Sequence, residues 1–314
     1  VIIVNDGSTD DTEAIAERYV TEYPKIFQLI SQENAGHGAG INVALKHATS
    51  PWFKVLDSDD RFDREALENV LTKLQKWHDE DICPDLIITN YIYERHSWKN
   101  GNHKVTNKKI RYKNVFAEEK PQTWASMDTM KLDQIMMMHA MMYRTELIRD
   151  EVKLELPHHT SYEDNLYVCI PLPHVKEIRY LNEDLYIYFI GRPEQSVNLN
   201  SLIKKVDNQL LVTRELLYAF DDWSRLQPTR LRRYLVRHFI RLVAMSILSL
   251  SIRGQQEDKL KLRALWHDIR DHDRYLYRKA RSHPMPIGQA ILLVLKPDLR
   301  QRVYRWIGKT WRFN

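Results

Sequence analysis

The fold of this chain is decided by the stretch WFKVLDSDD, residues 52–60. Its first five residues form a largely apolar run typical of a buried strand, and the run ends in Asp57, Asp59 and Asp60. Carboxylates this close together repel one another, so a cation is expected among them. A divalent ion suits this role, because hard ions prefer carboxylate oxygen. The alternative is a solvated turn that leads into a helix, with Asp60 or Asp63 as the capping residue.

The segments before this stretch alternate between strands and helices. Strands are predicted at residues 1–5, 25–30 and 52–56, and helices at residues 11–22 and 41–47. This order predicts a parallel sheet with right-handed crossovers. Asp6 and Asp57 then leave their strands at the same edge, where open α/β sheets bind ligands. Taken alone, Asp6 is also a common turn residue.

The rest of the chain changes character near residue 200. Up to that point the pattern predicts a helix at residues 64–77, strands at 85–91 and 178–190, a hairpin at 96–113, and a helix that opens after Glu163-Asp164. Beyond it the apolar spacing is helical at residues 202–220, 231–252, 259–281 and 287–313. We therefore predict two domains, an α/β domain over residues 1–200 and a basic helical region over residues 201–314.

The composition of the 314 residues is typical of a soluble globular protein, with 43% hydrophobic residues, 28% charged residues and a mean hydropathy of −0.51. No apolar run is expected to reach the roughly 18 residues that a membrane span requires. Two cysteines, Cys83 and Cys169, form no disulfide framework, which favours a reducing cytosol. The chain starts inside a predicted strand without Met, so we expect a fragment that lacks an N-terminal strand and helix.

The net charge of +5 hides an asymmetry. Residues 223–314 carry 21 Lys/Arg against 6 Asp/Glu, whereas the remainder carries 26 against 36. Three interpretations of this basic tail remain: a solvated helical surface, a nucleic-acid site, or attachment to an anionic membrane face. The absence of a recognisable nucleic-acid module disfavours the second. Basic residues mixed with Trp, Phe and Leu in residues 300–313 favour the third.

A glycine-rich segment, residues 36–40, superficially resembles a dinucleotide-binding fingerprint, because a helix, a strand and Asp57 follow it. Residues 31–35 separate these glycines from the strand, however, and three acids stand where the fingerprint has one. The sequence contains no P-loop lysine motif and no zinc-ligand spacing. A nicotinamide or flavin enzyme is therefore disfavoured.

Three motifs together resemble the bacterial family 2 glycosyltransferases of the GT-A fold. They are NDGSTD at residues 5–10, NAG at 34–36 and LDSDD at 56–60. Glu163 and Asp164 fall where that family keeps an acidic catalytic pair. The resemblance implies a Rossmann-like, mostly parallel sheet with flanking helices, here followed by a helical C-terminal region. The segment YIYFIGRPEQSVN, residues 186–198, resembles the family's donor-closing segment but departs from its Arg-x-His pattern.

The resemblance also implies an inverting transfer of a sugar from a UDP-sugar to a hydroxyl, in polysaccharide or cell-wall glycopolymer synthesis. Asp59 and Asp57 would hold Mn²⁺ or Mg²⁺, which would neutralise the leaving diphosphate. The residues that it assigns to the donor are Asp6 at the uracil ring, Asp57 at the ribose or metal, Asn34, Gly36, and Arg192 at a phosphate. Asp164 would be the general base, and Glu163 would hold the acceptor or orient Asp164.

The partners implied are a UDP-sugar, a saccharide or lipid-linked acceptor and an anionic membrane surface, with no nucleic acid. The expected location is the cytoplasm, at the inner face of the cell membrane. His139 and His159 are candidates to line the acceptor site, although structural roles explain them better. The alternative function is a non-catalytic nucleotide- or carbohydrate-binding protein on the same scaffold. Intact Asp57, Asp59 and Asp164 favour the enzyme.

Overall fold

The computed structural model of the chain describes residues 1–99, 102–131, 134–191 and 199–291. The chain divides into two compact units, residues 1–190 and residues 191–314. The boundary between them lies ten residues before the one predicted from the sequence.

The first unit combines short strands with four α-helices. In chain order they are β1 (Ile2–Asp6), α1 (Thr12–Glu22), β2 (Gln28–Gln32), α2 (His37–His47), β3 (Trp52–Phe53), β4 (Arg61–Phe62), α3 (Arg64–Asp79), β5 (Leu86–Ile88), β6 (Tyr91–Lys99), β7 (Asn102–Ile110), β8 (Met141–Arg144), α4 (Asp164–Cys169), β9 (Ile178–Tyr180) and β10 (Tyr186–Ile190). The α/β class is confirmed. The predicted strand at 85–91 spans β5 and the start of β6, and the predicted strand at 178–190 spans β9 and β10. In both cases residues outside any strand separate the two strands.

The strands form three sheets, which together contain both parallel and antiparallel pairings. β1 and β2 pair in parallel, as the strand–helix–strand order predicts. The other two sheets have the orders β4–β10–β6–β7 and β3–β8–β5–β9. Across the described residues, three strand pairings are parallel and four are antiparallel.

The prediction for residues 52–56 was wrong in two respects. Strand β3 contains only Trp52 and Phe53, and it pairs antiparallel with β8 instead of extending a parallel sheet. From Lys54 onward the chain is no longer in a strand, and the Lys54 ammonium donates to the carbonyl oxygen of His139 at 2.7 Å. The three acids that follow therefore lie on an irregular segment and not at the end of a long strand.

Helix α3 illustrates how the core of the first unit forms. The Asp63 carboxylate accepts a hydrogen bond from the Ala66 N–H at 3.0 Å, so Asp63 is the capping residue and Asp60 is not. One face of the helix then buries Val70 and Trp77 against Ile87 of β5. Each such side chain stabilises the fold by about 1.5–3 kcal/mol relative to its exposed state.

The second unit is helical, as predicted. Its helices are α5 (Leu199–Lys204), α6 (Val206–Tyr218), α7 (Thr229–Arg253), α8 (Asp258–His272), α9 (Arg274–Ser282) and α10 (Pro284–Ile291). The predicted helix at 259–281 is two helices, because Asp273 leaves the helical conformation and its carboxylate caps α9 through the Leu276 N–H at 2.7 Å. The predicted helix at 287–313 begins at Pro284, and its residues beyond 291 lie outside the described ranges, as does the Trp-containing segment 300–313.

Helix α7 corrects the expectation that no segment approaches the length of a membrane span. It has 25 residues, and an 18-residue window within it has a mean hydropathy of 1.6. By length and composition alone it could cross a membrane. In the structure, however, 83% of that window is buried inside the protein, which is typical of a core helix.

Candidate active site

The carboxylate of Asp6, at the end of β1, holds the loop that precedes α2. It accepts hydrogen bonds from the N–H groups of Ala35 and Gly36 at 2.9 and 2.8 Å and from the Gln32 amide at 2.6 Å. Burial alone would raise the pKa of Asp6, but these hydrogen bonds outweigh it and lower the pKa. Asp6 is therefore ionised, and it fixes the NAG loop at the carboxyl end of β1.

Glycine is required at position 36 by both conformation and space. Gly36 has φ +89°, and a Cβ there would lie 2.9 Å from the backbone nitrogen of His159. The His159 N–H in turn donates to the Ala35 carbonyl at 2.6 Å. The loop after β1 is thus packed directly against the loop that leads to Glu163, so two motifs that are far apart in sequence meet in one place.

Replacing Gly36 with Ala is expected to destabilise the protein by at least about 1–3 kcal/mol, because strain at positive φ and a backbone clash both oppose it. Gly40 is the matched control. It lies inside α2, and a Cβ there would make an ordinary contact of 3.7 Å with Val4. Gly40→Ala should be neutral or stabilise by about 0.5–1 kcal/mol. Denaturant unfolding measures both, and equal effects would contradict the packing described.

His37, the first residue of α2, joins two of the predicted site residues. Its Nδ1 lies 2.7 Å from Glu163 Oε1, and its Nε2 lies 3.0 Å from Asp57 Oδ1. Burial alone would lower the pKa of His37, but the two carboxylates outweigh it and raise the pKa to about 10. His37 is therefore an imidazolium whose two N–H groups donate to both acids.

Tyr186 of β10 connects Asp57 to Asp60. Its hydroxyl donates to Asp60 Oδ2 at 2.7 Å and accepts a hydrogen bond from the Asp57 N–H at 3.2 Å. The other Asp60 oxygen accepts from the Phe189 N–H at 2.8 Å. Burial, together with the charges of Asp57 and Asp59, raises the pKa of Asp60 to about 6. In Asp57, by contrast, the bond to His37 overcomes burial and lowers the pKa.

A candidate metal cluster consists of Asp57, Asp60 and His139, whose ligand atoms lie within 4.8 Å of one another. The sequence prediction named Asp57 and Asp59. Asp59 is half-buried in the same turn but is not a member of this group. Its assignment as a metal ligand stays a prediction.

His139 has the properties of a metal ligand. It is buried, and its ring stacks on Tyr186 and Tyr188 with centroid distances of 4.5 and 4.8 Å. Burial lowers the pKa of His139 to about 4, so the imidazole is neutral. Its Nδ1 is buried and has no hydrogen-bond partner within the described part of the chain. Two carboxylates and a neutral imidazole suit Mn²⁺ or a similar divalent ion.

The acidic pair Glu163-Asp164 stands at the start of α4. Glu163 is only 3% exposed and is held by His37. Asp164 is half-buried, and its Oδ1 accepts a hydrogen bond from the Asn165 side chain at 3.1 Å. Burial, followed by the charge of Glu163, raises the pKa of Asp164 to about 6. A carboxylate with this pKa can accept a proton near neutral pH.

The structure therefore brings most of the predicted site residues together. Asp6 holds Gly36, the adjacent His37 contacts Asp57 and Glu163, and Asn34 donates to the Asp6 carbonyl oxygen at 2.9 Å. Arg192, the predicted phosphate contact, lies outside the described residues. The roles of His37 and Tyr186 were not predicted from the sequence. Asp60 belongs to the acidic cluster in which a cation was expected, but it was not named as a metal ligand.

Comparisons with known proteins show which proteins this chain resembles. Residues 1–145 match the family model for glycosyl transferase family 2. An uncharacterised glycosyltransferase of Mycoplasma pneumoniae, the MG060 homolog, is 24% identical over 219 residues, which cover 69% of this chain and 67% of that protein. The teichoic acid poly(glycerol phosphate) polymerase of Staphylococcus epidermidis is 38% identical over 74 residues, which are 23% of this chain and 10% of that protein.

Solved structures with the same fold cover nearly the whole chain. S. aureus TarS 1–349 in complex with UDP-GlcNAc superposes with a TM-score of 0.58 at 19% identity, over 98% of this chain and 82% of that one. The complex of the same protein with UDP gives a TM-score of 0.50 at 20% identity, over 90% and 81%. The first unit of this chain thus has the GT-A fold, and its residues 1–145 match the model of glycosyl transferase family 2.

Proposed function

We propose that this chain transfers a sugar from a UDP-sugar to a hydroxyl group of an acceptor, with inversion at the anomeric carbon. The observation that carries this proposal is the contact of His37 with both Asp57 and Glu163. This contact links one acid of the LDSDD motif to one acid of the Glu163-Asp164 pair, which supports a single site. The TarS structures with UDP and UDP-GlcNAc support a uridine nucleotide as the donor.

Asp164 is proposed as the general base. Its carboxylate accepts the proton of the acceptor hydroxyl while that oxygen forms a bond to the anomeric carbon. The bond between the anomeric carbon and the diphosphate oxygen breaks in the same step, and UDP leaves. Attack from the face opposite UDP inverts the configuration. Glu163, held by His37, keeps a second negative charge beside Asp164 and so helps to maintain its basicity.

Asp57, Asp60 and His139 are the residues that would hold a divalent cation, and the buried Nδ1 of His139 fits that role. A cation bound there supplies Lewis-acid stabilisation of the charge on the leaving diphosphate. Asp6 is proposed to contact the uracil ring, with Asn34 and Gly36 in the loop that Asp6 fixes. Arg192 stays the proposed phosphate contact.

The acceptor is proposed to be a growing glycopolymer or its lipid-linked precursor, at the cytoplasmic face of the membrane. Support comes from relatives that act on teichoic acids. One is the polymerase above, and another is the minor teichoic acid biosynthesis protein GgaB of Bacillus subtilis, 30% identical over 34% of this chain and 11% of that protein. The matched segments cover about a tenth of each of these two proteins.

The test of the donor is UDP release from a panel of UDP-sugars, GDP-sugars and dTDP-sugars, with Mn²⁺ present and a lipid-linked or polymeric acceptor added. Turnover with a UDP-sugar that depends on the acceptor is expected. Turnover with only another nucleotide would overturn the donor assignment. Nucleotide binding without turnover of any sugar would favour the non-catalytic alternative.

The pH dependence of kcat/KM follows from the raised pKa of Asp164, which is about 6. A base acts only when ionised, so kcat/KM should rise about tenfold per pH unit below pH 6 and level off above it. Initial rates between pH 5 and pH 8 at saturating metal measure this profile. A rate that is flat from pH 5 to pH 7 would contradict the assignment of Asp164.

A further inference from the structure

The second unit contains a cavity of about 600 Å³ between α7, α9 and the start of α10. Its polar lining is mostly cationic or aromatic: Arg232, Arg233, Arg237, Tyr275, Lys279 and His283. Two apolar side chains of α7, Val236 and Ile240, complete one wall. A cavity of this size holds a small organic molecule or a lipid headgroup.

The charge of this lining is one-sided. The eleven described residues that line the cavity include four Lys or Arg and no Asp or Glu. In another part of the same unit, basic side chains lie beside carboxylates: Lys261 Nζ is 2.7 Å from Asp207, and Arg253 contacts Asp258. Among the described residues, the lining therefore carries several cationic groups and no carboxylate.

The basic groups around the cavity also repel one another. Burial lowers the pKa of Arg241, and the charge of Arg237, one helical turn earlier in α7, lowers it further. Burial also lowers the pKa of His283, and the charge of Arg241 adds to this effect. A bound anion would relieve this repulsion, and guanidinium groups match the geometry of phosphate oxygens.

We propose that this cavity binds a phosphate ester, with the phosphate against Arg233, Arg237 and Lys279 and its organic substituent against Val236 and Ile240. The apolar wall favours an ester over inorganic phosphate. The ester belongs either to a soluble molecule or to a lipid headgroup, and the chemistry of recognition is the same for both. None of the lining residues belongs to the site in the first unit, so this proposal does not depend on sugar transfer.

The test uses the full chain and two probes that share the glycerol phosphate group. The first is sn-glycerol 3-phosphate, measured by isothermal titration calorimetry with EDTA present so that no metal binds in the first unit. The second is vesicles of phosphatidylglycerol in phosphatidylcholine, measured by co-sedimentation at low and high salt. Vesicles of phosphatidylcholine alone are the neutral control.

The variant that tests the cavity, named the groove variant, is the double substitution Arg233→Gln and Lys279→Gln. Both residues are at exposed positions. The matched control is Lys259→Gln with Arg263→Gln, and these two substitutions remove the same charge. Both residues are exposed on α8 and do not line the cavity. The groove variant should bind at least about tenfold more weakly than the wild type, since charge-assisted hydrogen bonds are lost. The control should bind within about twofold of the wild type.

Loss of glycerol phosphate binding in the groove variant would assign a soluble ester, and loss of vesicle binding alone would assign a lipid headgroup. Either outcome supports the proposal. Two outcomes overturn it. One is that the wild type binds neither probe, and the other is that the groove variant and the control variant weaken binding equally.

Discussion

Replacing Asp164 with Asn is expected to lower kcat by about 10²–10⁴-fold, because the amide cannot accept the proton of the acceptor hydroxyl. KM for the donor should change little, since Asp164 is assigned to the acceptor side of the reaction. The side chain keeps its size and its contact with Asn165. UDP release at saturating donor and acceptor measures the effect.

The stability of the same variant separates catalysis from folding. The pKa of Asp164 is raised to about 6 in the folded state, so the stability it contributes is present below its unfolded pKa and is lost as the pH rises through 6. Above that pH the ionised group disfavours the fold, and Asp164→Asn should leave the melting temperature unchanged or raise it. A lower melting temperature together with lost activity would point to misfolding instead.

Asp81→Asn is the matched control for this substitution. Asp81 is exposed and has φ 56°, a left-handed conformation that Asn adopts as readily as Asp. Its activity should equal that of the wild type. Wild-type turnover in Asp164→Asn itself would remove Asp164 as the base and leave Glu163 as the candidate.

Removing the proposed divalent cation, or Asp57 as its proposed ligand, should have the second large effect. EDTA should abolish turnover of the wild type, and Mn²⁺ should restore it. Asp57→Asn should lower turnover by about 10²-fold or more, because several kcal/mol of charge stabilisation at the diphosphate depend on the cation. It should also shift the Mn²⁺ concentration that gives half-maximal rate, which loss of the His37 contact alone would not do.

The pair Asp60→Asn and Asp59→Asn decides which carboxylate accompanies Asp57. The structure groups Asp60 and His139 with Asp57, so Asp60→Asn should raise the required Mn²⁺ concentration and Asp59→Asn should change it less. The reverse order would favour the assignment made from the sequence. EDTA-treated protein with full turnover would exclude a cation requirement altogether.

The elements that the sequence predicted well are those whose apolar pattern is local. The run at residues 1–5, the amphipathic spacing of α3 and the hairpin β6–β7 depend on neighbours in the chain, and all three appear. The direction of β3 could not be predicted in this way. Its partner is β8, and Trp52 pairs with Arg144, more than ninety residues away.

The site shows the same limit. The motifs in the sequence named Asp6, Asp57 and Glu163, and the structure connects these acids through Gly36 and His37. The sequence could not distinguish Asp60 from Asp59, since that difference depends on the Tyr186 hydroxyl and the Phe189 N–H, which are 126 and 129 residues away. The bridging role of His37 likewise requires Glu163, 126 residues further along.

The bridge formed by His37 has a thermodynamic consequence. One imidazolium is shared between Asp57 and Glu163, which are proposed to lie on the donor and acceptor sides, so the two half-sites are linked. A cation or sugar nucleotide that competes with His37 for Asp57 is therefore expected to change the restraint on Glu163. By reciprocity, an acceptor that engages Glu163 alters the affinity at Asp57 by the same factor. Donor and acceptor are then expected to bind as dependent events, so the dissociation constant of each should change when the other is bound.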